Sequence, residues 1–190
     1  VENARRKQPG LIVVDRAVPG PHQNYLTPEA RVPDDVIPYP WEVPMPMATS
    51  WSFKPEDTYK SGRALVHMLA EVVSRGGNLL LNIGPGPDGK WHDAAYDRLG
   101  ELGAWLDVNG EAIYDTTVWS TFGEGPTTVS TGHVSEAADK PFTAEDVRFT
   151  TKDDTVYATI LEIGRARQIT AALPLLEFGS RATYPHQAIA

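Results

Sequence analysis

Two unbroken apolar runs constrain this chain more than anything else in it: Leu11-Ile12-Val13-Val14, and Leu79-Leu80-Leu81 followed closely by Ile83. Continuous rather than alternating apolarity is the mark of strands buried on both faces, as in a parallel sheet. A helix is written directly before the second run. Leu65, Val66, Leu69, Val72 and Val73 recur at helical spacing, and Gly76-Gly77 supplies a left-handed stop. Residues 48–53 form a further strand candidate with Trp51 near its end. A second helix is expected over residues 93–108, where Ala95, Leu99, Leu102 and Leu106 make an apolar face and Asn109-Gly110 ends it. Between these elements lie residues 17–47, with eight prolines and little periodicity, which read as one long loop. Loops well beyond roughly 12–15 residues are usually functional or disordered.

Strand, loop, strand, helix, strand, loop, helix is the rhythm of an α/β fold with a parallel sheet. The rhythm changes after about residue 115. Residues 147–150 and 155–161 are β-rich and flank Lys152-Asp153-Asp154, which reads as a hairpin turn. A complete (β/α)₈ barrel needs about 250 residues. The expected fold is therefore α/β: residues 1–115 as the C-terminal portion of a (β/α) TIM-like barrel, and residues 116–190 as a linker and the start of an antiparallel, β-sandwich-like domain.

Composition narrows the function. Lys and Arg number 17 against 25 Asp and Glu, a formal net charge of −8. Nucleic acid needs clustered cations, so it is not an expected partner. Cysteine is absent, which excludes disulfides, thiolate metal sites and a Cys nucleophile. No apolar run reaches 18 residues, so no membrane partner is expected. Val1 to Pro9 carries Arg5, Arg6 and Lys7 with no long apolar stretch behind it, which is unlike a signal peptide. Without a leading Met, the chain reads as a mature or excised piece.

In a barrel, chemistry sits on the loops after the C-terminal ends of strands. The loop after Val14 holds Asp15, Arg16, His22, Asn24, Tyr25 and Glu29, and Trp51 ends the middle strand candidate. Each has an ordinary alternative. Arg16 suits a salt bridge, Glu29 after Thr27-Pro28 suits a short helix start, Trp51 suits the core, and His22 suits a solvated loop.

Taken together, these residues resemble a family. Leu11-Ile-Val-Val-Asp-Arg16, Asn24-Tyr-Leu-Thr-Pro-Glu29, Trp41-Glu42, Ser50-Trp-Ser-Phe53, Gly77-Asn-Leu-Leu-Leu-Asn-Ile-Gly-Pro85, Trp105-Leu106, Asn109-Gly-Glu-Ala-Ile-Tyr114 and Arg148-Phe-Thr150 follow one another as in the α-L-fucosidases of glycoside hydrolase family 29. The resemblance implies a retaining exo-glycosidase that removes terminal α-L-fucose through a covalent intermediate. Retaining chemistry asks for two carboxyl groups about 5–5.5 Å apart, one ionised to attack and one carrying a proton for the leaving oxygen. The resemblance assigns the acid/base role to Glu29, a place beside the fucose and the nucleophile to Arg16, and the aromatic position against the sugar's apolar face to Trp51. Glu42 is a second-choice carboxylate, more simply a structural partner within the loop. No metal or organic cofactor is implied. Fucosylated glycans or glycoconjugates are the expected partners.

The match has a gap. The family's nucleophilic aspartate precedes the matching arginine by some thirty residues, whereas 15 residues precede Arg16 here, and Asp15 does not occupy that slot. His22 and His67 do not match the family's fucose-binding histidines either. The chain alone is expected to be inactive. A glycan-binding module without hydrolysis, with Trp91, Trp105 and Trp119 as stacking candidates, is one alternative, and another retaining glycosidase on a similar barrel is a second. Strands built for burial on two faces leave an open edge, which must recruit the missing barrel half or self-associate. The purified 190-residue chain is therefore expected to run as an assembly or aggregate in a light-scattering mass measurement; a stable, monodisperse species of 20.8 kDa contradicts the open-edge reading.

Overall fold

The computed structural model describes residues 1–16, 20–127, 141–162 and 170–174. A short helix α1 (Glu2–Lys7) leads to an extended segment, then β1 (Trp41–Pro46), α2 (Gly62–Ser74), β2 (Gly77–Asn82) and α3 (Asp93–Asn109). A 3₁₀ turn at Gly110–Ala112 passes into β3 (Thr117–Glu124), β4 (Val147–Lys152), β5 (Thr155–Ile160) and β6 (Thr170–Pro174). β1 and β2 pair in parallel from Trp41↔Gly77 to Pro46↔Asn82, and β3 to β6 form an antiparallel sheet in chain order. The α/β class with a following antiparallel sheet is thus observed. Residues 128–140, 163–169 and 175–190 of the expected linker and β domain, and residues 17–19 of the expected loop, lie outside the described residues.

Both helices form where the apolar spacing places them. Ser61 caps α2 by accepting a hydrogen bond from the Ala64 amide at 3.1 Å. Gly76, at φ +80°, ends the helix in the left-handed region. Gly77 is required for a different reason: a Cβ there would stand 2.3 Å from the Trp41 indole, whose Nε1 donates to the Arg75 carbonyl at 3.3 Å.

The strands differ more from expectation. β1 lies inside the stretch expected as a loop, despite Pro44 and Pro46. The ladder explains the tolerance. In a strand, alternate residues direct their amides to opposite neighbours. Odd positions bond β2, as the Met47 amide does to Asn82 O at 2.9 Å. Even positions face residues 25–26, and there only Glu42 donates, to Leu26 O at 3.0 Å. Pro44 and Pro46 have no amide to offer on that side, so pairing stops and the chain after Leu26 leaves the sheet. Conversely, Leu11 to Val14 forms no strand beyond one parallel bridge, Val14↔Tyr25, and residues 48–53 make only the antiparallel bridge Ala48↔Tyr59. With the parallel bridge Leu26↔Trp41, these contacts form a staircase of parallel neighbours running from Val14 to β2.

One face of β1 and β2 is covered. Trp41, Val43 and Met45 pack with Met68 and Val72 of α2, and Met47 packs with Leu65 and Ala95. The other face carries Glu42, Pro44, Pro46, Asn78, Leu80 and Asn82. Pro44 is buried but Leu80 is 50% exposed, so the expected burial on two faces is complete on one and partial on the other.

α2 also touches the antiparallel sheet. Its buried Glu71 carboxylate pairs with both Arg75 and Arg148 of β4. His67 Nε2 meets Leu161 O at 2.6 Å, and Thr150 Oγ1 donates to Ala112 O at 2.8 Å. The Tyr157 hydroxyl donates to Glu111 at 2.7 Å; burial first, then that carboxylate, pushes its pKa up to about 12. The β4–β5 hairpin turns at Asp153-Asp154, as read from the sequence, with Asp153 at φ +51°.

Two measurements test this joint. Glu71→Ala strands two buried guanidinium groups and is expected to cost about 3–5 kcal/mol in urea unfolding. Arg63→Ala, which removes the exposed pair to Glu162 at 2.7 Å, should cost about 1 kcal/mol or less. Burial of His67 lowers its pKa from 6.5, with Arg63 adding to that and the Leu161 bond, Glu162 and Glu71 opposing it. A lowered histidine binds protons more readily unfolded than folded, so its contribution is full above 6.5 and is lost as pH falls through the folded value. Urea midpoints at pH 7.5 and 5.5 should show wild type losing more stability on acidification than His67→Gln.

Candidate active site

The candidate residues lie on loops that leave the C-terminal ends of the parallel segments. Arg16 follows the Val14 bridge, and Glu29 follows the Leu26 bridge. The Asp15 carboxylate ties these two exits together. It accepts hydrogen bonds from the Thr27 amide and hydroxyl, both at 2.9 Å. Asn24 Oδ1 accepts from the Val13 amide at 2.9 Å and from Arg5 Nη2 at 2.6 Å, and the same Arg5 nitrogen reaches His22 O at 2.7 Å. The basic N-terminal helix therefore holds the loop from beneath.

These clamps bring Arg16 Nη1 within 3.7 Å of Glu29 Oε1. Their side chains are 47% and 63% exposed, so the pair stands in solvent at the loop surface. Glu29 sits in a turn, not at a helix start, with Ala30 behind it at φ +49°. Arg16 makes the salt bridge that its ordinary reading anticipates, and the partner is the other candidate. His22 is half-buried, with its carbonyl engaged by Arg5. Glu42, expected within the loop, instead stands inside β1 opposite Asn78.

Trp51 is not core: it is 41% exposed. Its loop is held at both ends. Asp57 accepts from the Thr49 hydroxyl and from the Thr49 and Thr58 amides, the last at 2.8 Å. Burial acts to raise the Asp57 pKa, but these hydrogen bonds and nearby Lys54 hold it below the ordinary carboxylate value. Asn82, the last residue of β2, donates from Nδ2 to Trp51 O at 2.8 Å. Gly84 lets the next loop approach, because a Cβ there would meet the Phe53 amide nitrogen at 2.5 Å. Phe53 stacks on His92 at 4.8 Å, and His92 Nδ1 lies 3.1 Å from the Tyr59 hydroxyl. A small polar hollow opens here, lined by Ser50, Phe53, Asp57, Tyr59 and Asn82 among others. Among the described residues Trp51 shares no hydrogen bond with Arg16 or Glu29.

Sequence reasoning missed Asp57, Asn82 and His92. Asn82 had a visible signal, a polar residue closing an apolar strand. Asp57 and His92 act through side-chain contacts that leave no periodic trace. No group of three His, Cys, Asp or Glu suited to a metal ion occurs among the described residues, and no helix there is long and apolar enough to cross a membrane.

Comparison with known proteins is consistent across three kinds of match. The family model described as Alpha-L-fucosidase matches residues 1–111. An alpha-L-fucosidase of Branchiostoma floridae is 36% identical over 158 residues, covering 80% of this chain and 31% of that protein. Human plasma alpha-L-fucosidase is 44% identical over 103 residues, covering 52% of this chain and 22% of its own length. A solved alpha-L-fucosidase superposes with a TM-score of 0.69 at 33% identity, over 86% of this chain and 35% of that one. The Thermotoga maritima alpha-fucosidase in complex with fucose gives 0.65 at 32% identity, over 86% and 34%. The chain thus spans about a third or less of the relatives it matches. A family model covering more than half of the sequence, joined to these superpositions, places the chain in the alpha-L-fucosidase family.

Proposed function

We propose that this chain supplies the acid/base side of a retaining exo-glycosidase that hydrolyses terminal α-L-fucosides by double displacement. The observation that carries the reading is the Arg16–Glu29 pair, 3.7 Å apart on adjoining strand exits, in a chain of this family. Glu29 is solvent-accessible, as a group that must exchange protons with a leaving oxygen and then with water has to be. Glu29 gives a proton to the leaving oxygen in the first half of the cycle and takes one from water in the second. Retention also needs a nucleophile, an attacking carboxylate about 5–5.5 Å from the acid/base. That nucleophile comes from polypeptide outside these 190 residues. Trp51 offers its ring to the apolar face of the fucose. Bond breaking requires only the two carboxyl groups and water.

The same reading accounts for the exposure of Leu80 on the second face of the sheet. In a (β/α) barrel the inward face of each strand is filled by side chains, and the chemistry sits above it at the C-terminal ends. Leu80 takes the inner position here and Asn82 the rim, and further strands of the barrel cover Leu80. Fucosylated glycans are the substrates, and the rest of the barrel, or failing it a second copy, is the partner of the open edge.

The test is Glu29→Gln in the complete polypeptide. The expected loss of turnover is about 10²- to 10⁴-fold on fucosides with poor leaving groups, smaller on aryl fucosides, with partial rescue of the latter by azide. Equal loss on both substrate types, with no azide effect, contradicts the acid/base role.

A further inference from the structure

The loop that bears Trp51 has no strand or helix of its own: none of residues 49–58 belongs to a regular element. Its base is closed from within. Asp57 accepts from the Thr49 amide at 3.2 Å and from the Thr58 amide at 2.8 Å, and the Lys60 amide donates to Met47 O at 2.9 Å. These ties set where the loop begins and ends, but none of them lands on Trp51. A ring that has to meet a ligand from an irregular loop needs its own backbone fixed by a supporting residue.

Among the described residues Trp51 is hydrogen-bonded at one point, its carbonyl, which accepts from Asn82 Nδ2 at 2.8 Å. The donor is firmly anchored. Asn82 is half-buried and closes β2 in register with Pro46 of β1, and its own carbonyl accepts the Met47 amide at 2.9 Å. Residue 47 is where the chain leaves β1 for the Trp51 loop. One residue of β2 thus holds the root of the loop with its backbone and Trp51 with its side chain. Two residues later Gly84 keeps the exit of β2 against the same loop, where a Cβ would stand 2.5 Å from the Phe53 amide nitrogen and 2.7 Å from the Ser52 carbonyl carbon. The acceptor on Trp51 is a carbonyl oxygen, so the contact demands a donor. A carboxamide supplies one, and a carboxylate of the same shape does not.

We infer that Asn82 is a positioning residue for fucoside binding: its amide fixes the Trp51 backbone so that the indole stands ready for the apolar face of the sugar. The inference rests on the hydrolase reading above, which gives Trp51 that contact. It adds that Asn82 acts through Trp51 and not by touching substrate. The contribution belongs to binding and not to bond breaking. Asn82 moves no proton in the double displacement, and the ring it holds meets the sugar in the ground state and the transition state alike. Loss of such uniform binding raises KM and leaves kcat.

The experiment is a double-mutant cycle on the complete polypeptide, read on a fucoside with a poor leaving group, where slow chemistry lets KM track binding. Asn82→Ala should raise KM about two- to tenfold, the range of one lost hydrogen bond, with kcat within about twofold. Trp51→Ala should raise KM at least as much, and adding Asn82→Ala to it should change KM by no more than about twofold further. Asn82→Asp keeps the shape and sets a carboxylate against the carbonyl oxygen, so it should be at least as harmful as Asn82→Ala, whereas a residue that acts by packing alone would tolerate it. An unchanged KM in Asn82→Ala, a wild-type KM in Asn82→Asp, or losses that add in full to those of Trp51→Ala overturns the positioning role while the hydrolase reading stands. An unchanged KM in Trp51→Ala takes Trp51 out of the sugar site and the inference with it. A wild-type protein that hydrolyses no α-L-fucoside overturns both the inference and the hydrolase reading.

Discussion

The buried Glu71 carboxylate is the point through which the two sheets are joined. Two guanidinium groups converge on it, so the cluster carries one positive charge in excess. Such a cluster is stable only if its remaining N–H groups and its charge find other partners. They do. Arg75 Nη1 also donates to Glu71 O at 3.2 Å, and Arg148 Nη1 donates to Val147 O at 2.8 Å and Glu124 O at 3.3 Å. The Arg75 guanidinium lies 3.9 Å above the Phe122 ring and the Arg148 guanidinium 5.5 Å from Phe142, which spreads the excess charge over aromatic faces. Within the cluster Arg75 Nε has no partner among the described residues; outside it the Trp105 indole nitrogen likewise has none. With α2 held in this way, Gly77 follows at one height against Trp41, the register of β2 is set, and Asn82 arrives where it can bond Trp51 O.

Much of this was legible in the sequence, and the exceptions share one cause. α2, β2, α3 and the β4–β5 hairpin follow from apolar spacing and turn residues, because each repeats a pattern over several residues. β1 was hidden by its prolines. Proline argues against a strand only if its missing amide faces a neighbour, and sequence does not tell which side that is. The two expected strands that dissolved into single bridges failed through their partners. Val14 can pair only as far as Tyr25, since Pro28 and the Asp15–Thr27 bonds turn the opposite chain away. Residues 48–53 carry strand-forming side chains, but Asp57 takes the Thr49 amide and Asn82 takes the Trp51 carbonyl, leaving no ladder to join.

The candidate site was legible only through resemblance. Taken singly, Arg16 and Glu29 had ordinary alternatives, and a salt bridge is indeed what they form. What spacing could not show is how they are delivered. Asp15, Asn24, Arg5, Asp57 and Asn82 each hold a loop by side chain to backbone bonds, and such bonds leave no period in a sequence. The Asn109-Gly-Glu-Ala-Ile-Tyr114 string, equally specific to the family, has an architectural use: Asn109 Nδ2 donates to Trp105 O at 3.0 Å, Glu111 receives the Tyr157 hydroxyl, and Ala112 O receives Thr150.

The division of labour follows from which face of each strand is covered. On the α2 side, β1 and β2 carry only packing residues. On the opposite side Glu42 and Asn78 come first, Pro44 and Leu80 stand mid-strand, and Asn82 closes β2 where the loop bearing Trp51 is held. Apolar contact on that face is thus confined to mid-strand, between polar residues at both ends. The prolines of β1 contribute here as well. By ending the ladder at Leu26 they release the chain into the loop that carries Glu29, while Asp15 keeps that loop within reach of Arg16. A strand with free amides at positions 44 and 46 would extend the pairing and draw Thr27 to Glu29 into the sheet, away from the strand exit where Glu29 meets Arg16.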